Sequence, residues 1–234
     1  MRAFVGTSGF SYKEWRGSFY PEKMPERQML EFYSQRLPAV EINNTFYRMP
    51  RDSLLSGWCT QVPQSFRFIL KASQKITHIG RLGDLDSLAY FLKTSEVLGE
   101  RRGPILFQLP PFFRQDLERL RAFLEALQGT QALAAFEFRH PSWFEPDTLE
   151  LLKAHGAALC GGDVDEEGRS PPLHRTADFG YLRLRRSAYT DSEITDWAKR
   201  IVEQKWQEAY VFFKHEEQGP QLAAQLIAEI EKLS

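Results

Sequence analysis

The chain has few cysteines and almost no net charge, and each shortage excludes a class of protein. Its two cysteines, Cys59 and Cys160, lie far apart in the 234 residues and show no metal-binding spacing. We therefore expect both to be reduced core residues in a cytoplasmic protein. A formal net charge of −1 creates no field over the whole molecule that would attract nucleic acid or an anionic membrane.

Membrane and nucleotide-binding signals are also lacking. No stretch reaches the roughly 18 apolar residues of a membrane span. The first predicted strand begins at Ala3, which leaves no room for a signal peptide and favours a cytoplasmic location with no membrane partner. Neither a Gly-x-Gly-x-x-Gly nor a Walker motif is present, and this weakens a Rossmann-type interpretation.

The chain does contain a regular alternation of short apolar strands and amphipathic helices. Eight strands are predicted at 3–6, 40–43, 66–71, 105–109, 134–139, 157–160, 181–185 and 209–213. Seven helices are predicted at 25–37, 52–61, 84–98, 116–127, 146–154, 192–207 and from 220 onward.

One helix is missing from this alternation. Residues 161–178 hold a Gly-Gly pair, acidic residues and two consecutive prolines in place of a helical stripe. Alternating strands and helices produce a parallel sheet, and eight units fit a closed barrel of about 250 residues. We predict an α/β fold over residues 1–234, a single (β/α)8 TIM-type barrel with an irregular or missing sixth helix.

The fifth predicted strand carries the clearest functional pattern. Its alternation places Phe136 and Phe138 on one face and Glu137 and Arg139 on the other. A charged face at the end of an otherwise apolar strand is typical of a barrel strand whose C-terminal tip lines a site. The alternative is a purely structural Glu137–Arg139 ion pair with Trp143 packed against it.

Polar side chains are predicted at most other strand tips too, and these tips meet at the C-terminal mouth of a parallel barrel. The predicted site residues on the strands and at their ends are Thr7, Ser8, Glu41, Asn43, Lys71, Gln108, Glu137, Arg139, Arg183, Arg185 and Lys214. The loops that follow add Tyr12, Trp15, Tyr47, Thr77, His78, His140 and Trp143. The aromatic residues of the first loop are expected to form one wall of the pocket.

Cations outnumber carboxylates in this set, which favours a small anionic ligand. Arginine can hold a phosphate or carboxylate bidentately, and lysine supplies a point charge. General acid–base catalysis by Glu137 or Glu41, with Lys71 or an arginine holding a developing anion, is the favoured interpretation. A Schiff base on Lys71 is an open alternative that requires burial and cationic neighbours to lower its pKa.

Two further chemistries fit the residues less well. A two-carboxylate glycosidase in a barrel usually has its acids near the ends of strands four and seven, where this chain carries Gln108 and Arg185. A metal centre lacks support because no two histidines have a shared-helix spacing, and we predict no cofactor. Its candidate ligands would be His78, His140, His215, Glu41, Glu137 and Asp163.

Five motifs resemble one known family, the YecE-like family. They are GTSGFSY at 6–12, VEINNTFY at 40–47, ITH at 76–78, FQLPP at 107–111 and EFRHPSWF at 137–144. The family is a domain of unknown function with a TIM-type barrel, so the resemblance implies the barrel, a polar mouth and no settled activity. The likeness of that barrel to metal-dependent sugar isomerases and to the apurinic-site endonuclease is an analogy of fold.

Two strand ends depart from the family pattern. Strand seven usually closes with a sequence like Arg-Leu-His-Gly, and this chain reads RLRR at 183–186. Strand eight usually ends Phe-Asn-Asn, and this chain reads FKH at 213–215. Two neutral or titratable tips have therefore become cationic, which indicates a more anionic ligand or a drift from the family's chemistry.

We expect Arg185 and Lys214 to lie side by side at the mouth and to share an external anion. The reason is that the two strand carboxylates are expected to be engaged by Arg139 and Lys71, which leaves the other cations without a partner. In the alternative arrangement Lys214 turns to solvent, and Arg185 pairs with Asp163 or Glu216.

Three classes of function fit these observations. The first is an enzyme that acts on a small phosphorylated or carboxylated metabolite, such as a sugar acid or phosphosugar. The second is a nucleic-acid or phosphodiester enzyme resembling the apurinic-site endonuclease barrel, which would carry a basic stripe leading away from the mouth. The third is a non-catalytic barrel that only binds a ligand.

Overall fold

The computed structural model describes residues 1–166, 170–214 and 217–233. Its strands are β1 (Arg2–Ser8), β2 (Ala39–Ile42), β3 (Arg67–Leu70), β4 (Ile105–Gln108), β5 (Ala134–Glu137), β6 (Ala158–Asp163), β7 (Phe179–Leu184) and β8 (Glu208–Phe213). Its α-helices are α1 (Met29–Ser34), α2 (Asn44–Tyr47), α3 (Asp52–Cys59), α4 (Leu85–Ser95), α5 (Leu117–Leu127), α6 (Pro146–Ala154), α7 (Asp191–Glu203) and α8 (Gly219–Leu233). Short 3₁₀ or π-helical turns lie at Lys13–Trp15, Glu26–Gln28, Lys75–Ile79, Glu96–Arg101 and Pro141–Phe144.

The strands form a parallel barrel that closes between β3 and β4. The order around the sheet is β3-β2-β1-β8-β7-β6-β5-β4, and every pairing is parallel. Parallel bridges pair Phe68 with Arg102 and Lys71 with Leu106, and the Ala72 amide donates to the Leu106 carbonyl at 2.9 Å. The predicted (β/α)8 TIM-type barrel is confirmed, and its C-terminal strand ends share one mouth.

Side-chain alternation separates an outer from an inner layer. Phe136 on β5 faces the helices, where its ring centroid lies 5.3 Å from that of Phe107 on β4. Its neighbour Ala135 belongs instead to a buried cluster inside the barrel, which also contains Phe4 and Phe212. Large apolar side chains therefore fill the barrel interior beneath the polar groups at the mouth.

The sixth strand–helix unit is irregular, as predicted. The described residues between β6 and β7, 164–166 and 170–178, form no helix. However, β6 continues past Cys160 through the glycine pair to Asp163. Gly162 has a φ of +148°, and a Cβ on it would lie 2.0 Å from the Arg183 carbonyl oxygen. The glycines, which the sequence analysis places after the end of the sixth strand, instead belong to β6 and let β6 and β7 approach closely.

The predicted helices match α3, α5, α6 and α8 to within two residues, and α2 is not among them. The predicted helix at 84–98 is α-helical only to Ser95 and continues as a 3₁₀ turn. The predicted helix at 25–37 divides into a 3₁₀ turn and the shorter α1. Helix α7 ends at Glu203 rather than Gln207, and its cap is Thr190, which forms a capping box with Glu193. In the described part of the chain, no helix is both long and apolar enough to cross a membrane.

Candidate functional site

Arg183 on β7 lies at the centre of the barrel mouth and bridges two carboxylates. Its Nη1 donates to Glu137 Oε2 at 2.6 Å, and its Nη2 donates to Glu41 Oε1 at 2.9 Å. Strand alternation sends Leu182 and Leu184 into the outer layer, which turns Arg183 inward as predicted. All three charged side chains are buried, and the guanidinium supplies counter-charge to both carboxylates.

Glu41 on β2 is surrounded by hydroxyl and amide donors. The Ser8 hydroxyl donates to its Oε1, the Tyr181 hydroxyl donates to its Oε2 at 2.7 Å, and Asn43 Nδ2 lies 3.3 Å from Oε1. Burial alone would raise the pKa of Glu41, but Arg183 and the two hydroxyls outweigh burial and lower it. The residue therefore remains an ionised carboxylate at neutral pH.

Glu137 on β5 has more cationic partners than Glu41. Beyond Arg183, its Oε1 lies 3.1 Å from Arg185 Nη1 and 3.4 Å from Arg139 Nε, and Gln108 Nε2 donates to its Oε2 at 2.7 Å. Burial would raise the pKa of Glu137, but the three guanidinium groups overcome burial and hold it far below its usual range. A general base works best with a pKa near the working pH, so this geometry favours a positioning role for Glu137.

Lys71 follows β3 and is half-buried. Its Nζ donates to Gln108 Oε1 at 2.8 Å and lies 4.1 Å from the centroid of the Phe46 ring. Burial, assisted by the positive charge of Arg183, lowers the pKa of Lys71 to about 8. Lys71 can therefore exchange a proton near neutral pH, whereas Glu41 and Glu137 remain ionised.

An open cavity of about 1090 Å³ lies at the mouth, above the buried network. Three cations line it, Arg139, Arg185 and Lys214, together with two acids, Asp165 and Glu166, and apolar side chains such as Phe138 and Phe144. The sequence also predicts Glu41, Lys71, Gln108, Glu137 and Arg183 as pocket lining. None of these five side chains is among the residues that line this cavity. All except the half-buried Lys71 are buried at the base of the mouth, because their mutual ion pairs and hydrogen bonds draw them inward.

Arg185 and Lys214 are the two cationic departures from the family pattern, and both line the cavity. The Arg185 side chain is mostly buried and is paired with Glu137, so the expectation that Glu137 is left to Arg139 and Lys71 is wrong. Asp163 accepts a hydrogen bond from the Arg185 backbone amide at 3.0 Å, not from its guanidinium. Lys214 is exposed. His215 and Glu216 lie outside the described residues.

Two predicted tryptophans are core residues rather than pocket walls. Trp15 is 1% exposed and packs against the aromatic rings of Tyr12, Phe19 and Tyr20. Trp143 is 0% exposed, its ring stacks on Phe138 at 4.6 Å, and its Nε1 donates to the Phe113 carbonyl at 2.7 Å. Large aromatic side chains in these loops gain more from burial under the loop than from exposure at the mouth.

Two predicted threonines also point away from the cavity. Thr7 alternates with the inward-facing Ser8, and its Oγ1 lies 2.8 Å from the hydroxyl of Tyr33 on α1, between barrel and helices. Thr77 is fully buried, and its Oγ1 donates to the Ser73 carbonyl at 3.2 Å. Both side chains form structural hydrogen bonds within the outer layer and the loop after β3.

The other predicted loop residues lie around the rim of the mouth. The Tyr12 hydroxyl donates to the Ser8 carbonyl at 2.6 Å. Tyr47 is 74% exposed, and the ring of His78 lies 4.8 Å from that of Phe46. His140 caps the turn at Pro141–Phe144 by accepting from the Ser142 amide at 3.2 Å. Tyr12 and His140 thus have structural partners.

Sequence reasoning missed two residues that contact the charged network. Tyr181 donates to Glu41. Tyr181 lies two residues before Arg183 on the same strand, so alternation predicts that both side chains point into the barrel. Phe46 supplies the ring beside the Lys71 ammonium, but the loop sequence offers no comparable signal. Among the described residues, no group of three or more His, Cys, Asp and Glu side chains is arranged to hold a metal ion.

The closed parallel barrel and its charged C-terminal mouth define a TIM-barrel protein with a candidate ligand site on the strand ends. The chain belongs to the DUF72 family, whose family model, described as "Protein of unknown function DUF72", matches residues 4–233.

Relatives in bacteria confirm the resemblance to the YecE-like family. UPF0759 protein YunF of Bacillus subtilis (strain 168) is 27% identical over 231 residues, which cover 92% of this chain and 79% of YunF. UPF0759 protein YecE of Escherichia coli (strain K12) is 34% identical over 117 residues, which cover 49% of this chain and 43% of YecE.

Solved structures agree with the fold. A DUF72 family protein from Thermotoga maritima MSB8 has a TM-score of 0.85 at 27% identity, with coverage of 99% of this chain and 100% of that chain. A DUF72 family protein from Enterococcus faecalis V583 has a TM-score of 0.76 at 20% identity, with coverage of 99% and 97%. D-psicose 3-epimerase from Clostridium cellulolyticum H10 has a TM-score of 0.59 at 10% identity, with coverage of 99% and 96%, which shows a shared fold alone.

Proposed function

We propose that this protein is an enzyme that acts on a small phosphorylated or carboxylated metabolite bound at the C-terminal mouth. The observation that carries the proposal is an excess of positive charge in one connected network of the described residues. Three arginines share the two carboxylates of that network, Lys71 joins it through the neutral amide of Gln108, and a fifth cation lines the cavity above it. These cations are Lys71, Arg139, Arg183, Arg185 and Lys214. An anionic ligand would balance the remaining charge.

Two buried donors support the same ligand class. The Nε–H groups of Arg183 and Arg185 are buried and have no hydrogen-bond partner among the described residues. A buried donor left unsatisfied costs about 1–3 kcal/mol, and a phosphate or carboxylate oxygen is the acceptor that guanidinium groups hold best. The ends of strands seven and eight are also a frequent phosphate-binding position in this fold.

Lys71 is the residue we assign to proton transfer. Its pKa of about 8 allows both protonation states near neutral pH. In this proposal the arginines hold the anionic group of the substrate, and Lys71 exchanges a proton with its reacting end. Glu137 and Glu41 act as positioning residues, since they fix Arg183 directly and Glu137 fixes Lys71 through Gln108.

Phosphate titration followed by thermal unfolding tests the anion site. The wild type is compared with the double variant Arg185→His, Lys214→Asn. Because a ligand that binds the folded state stabilises it by mass action, phosphate should raise the Tm of the wild type in a saturable way. The double variant should lose most of that increase.

A matched control separates the cavity from general charge effects. The double variant Arg121→His, Lys153→Asn makes the same changes at exposed positions on α5 and α6 and should respond to phosphate like the wild type. Equal stabilisation of all three proteins would contradict the proposed anion site. A panel of sugar phosphates and sugar acids, screened in the same way and then assayed for turnover, should yield a substrate whose conversion is lost in Lys71→Arg.

A further inference from the structure

The surroundings of Lys71 differ from those of an ordinary interior lysine. A buried ammonium group usually pairs with a carboxylate. Within the described part of the chain, Lys71 forms no such ion pair, and its Nζ contacts the neutral amide oxygen of Gln108 at 2.8 Å and the ring of Phe46. The amine is therefore held in place without a counter-ion, in a half-buried position beside the mouth.

Gln108 accounts for this arrangement. Its Nε2 donates to Glu137 at 2.7 Å, so its Oε1 is directed to Lys71. Glu137 itself is occupied by Arg183 at 2.6 Å and Arg185 at 3.1 Å. A neutral amide thus lies between the lysine and Glu137, and it orients the amine while stabilising its positive charge less than a paired carboxylate would.

The charged groups around Lys71 favour the neutral amine. Burial and the charges of Arg183 and Arg139 lower its pKa to about 8, against the opposing charges of Glu41 and Glu137. His78, on the turn after β3, is also within electrostatic range of Lys71. At pH 7 the neutral fraction of such an amine is on the order of a hundredfold larger than that of an exposed lysine. A neutral, positioned amine is a nucleophile for carbonyl carbon.

We propose that Lys71 forms an imine with a carbonyl group of the substrate. This inference rests on the anion site of the proposed function, gives Lys71 the role of nucleophile in place of proton transfer, and narrows the substrate class to aldehydes or ketones that carry a phosphate or carboxylate. The Lys71 nitrogen attacks the carbonyl carbon and forms a C–N bond, and the carbonyl oxygen leaves as water with both hydrogens of the neutral amine. The imine nitrogen then takes up one proton. The step involves no oxidation or reduction, and Arg139 and Arg185 hold the anionic group.

Reductive trapping tests this step directly. The wild type is incubated at pH 7 with glycolaldehyde phosphate and sodium cyanoborohydride, which donates hydride to the iminium carbon and leaves a stable secondary amine. Peptide mass mapping then follows each lysine. Lys71 should be modified roughly tenfold or more faster than the exposed Lys75. Inorganic phosphate should slow the reaction at Lys71, and glycolaldehyde, which has no anionic group, should react there more slowly.

Variants and the phosphate titration separate this inference from the proposed function. Lys71→Arg keeps the positive charge at position 71 but removes the amine, so the rapid modification at that position should disappear. In the matched control Lys75→Arg, Lys71 should still be modified rapidly. Modification of Lys71 no faster than that of Lys75, in wild type that phosphate still stabilises, would overturn the imine and leave the anion site intact. Absence of phosphate stabilisation in the wild type would overturn the anion site and the inference together.

Discussion

Arg183 is the single residue on which the mouth of the barrel most depends. It neutralises Glu41 and Glu137, which lie on β2 and β5 and are buried. A buried carboxylate without a paired charge costs several kcal/mol. The arginine therefore makes it feasible for two acids to occupy the barrel end, and Arg185 and Arg139 add positive charge beside Glu137.

Replacing one acid should expose this dependence. Glu137→Gln preserves shape but leaves Arg183 and Arg185 without one of their counter-charges, so we expect the free energy of unfolding to fall by about 3–5 kcal/mol. Urea unfolding at pH 7 measures the change. Asp178→Asn removes an exposed ion pair with Arg175 and should cost at most about 1 kcal/mol. A similar small loss for both variants would show that the buried network contributes little.

At the scale of elements, the contact between β6 and β7 sets the position of Arg183. Gly162 is paired with Arg183 in the sheet, and its φ of +148° is unfavourable for any residue with a Cβ. The glycine pair therefore lets β6 lie close to the backbone of β7 at Arg183. A side chain at this position would push β7 away from β6.

Gly162→Ala tests that role. The added Cβ would lie 2.0 Å from the Arg183 carbonyl oxygen, so the variant should lose more than about 1 kcal/mol of unfolding free energy and bind phosphate more weakly. Gly57→Ala is the matched control, because nothing lies within 4 Å of its added Cβ. In helix α3 that change should stabilise by about 0.5–1 kcal/mol. Equal stability of the two variants would contradict the close approach of β6 and β7.

At the scale of the whole molecule, the buried carboxylates link stability to pH. The pKa values of Glu41 and Glu137 are lowered in the folded protein from the ordinary 4.5. The unfolded chain therefore binds more protons below about pH 4.5, and the stabilisation is present above that pH and lost progressively as the pH falls. Urea unfolding between pH 7 and pH 3 should show this decline, and Glu137→Gln should reduce its slope. An unchanged slope would mean that Glu137 contributes nothing to the pH dependence and would contradict this prediction.

The sequence by itself determined the barrel and the two layers of its strands. Backbone pairing and burial repeat every two residues along a strand, so apolar alternation alone predicts that Phe136 packs under the helices while Glu137 and Arg183 turn inward. The count of strand–helix units then predicts closure. The absence of a helix from the described residues between β6 and β7 was predictable as well, because the sequence after β6 carries no apolar stripe.

Tertiary structure alone decided which partners the charged and aromatic side chains take. Arg183 and Glu41 are 142 residues apart in sequence, and only the closed barrel shows that they pair and that Lys71 meets Gln108 instead of an acid. Trp15 and Trp143 resemble exposed loop residues, yet their burial depends on which loops pack beside them. The physical reason is that strand periodicity is local, whereas ion pairing, burial and pKa depend on distances between residues that only the folded chain brings together.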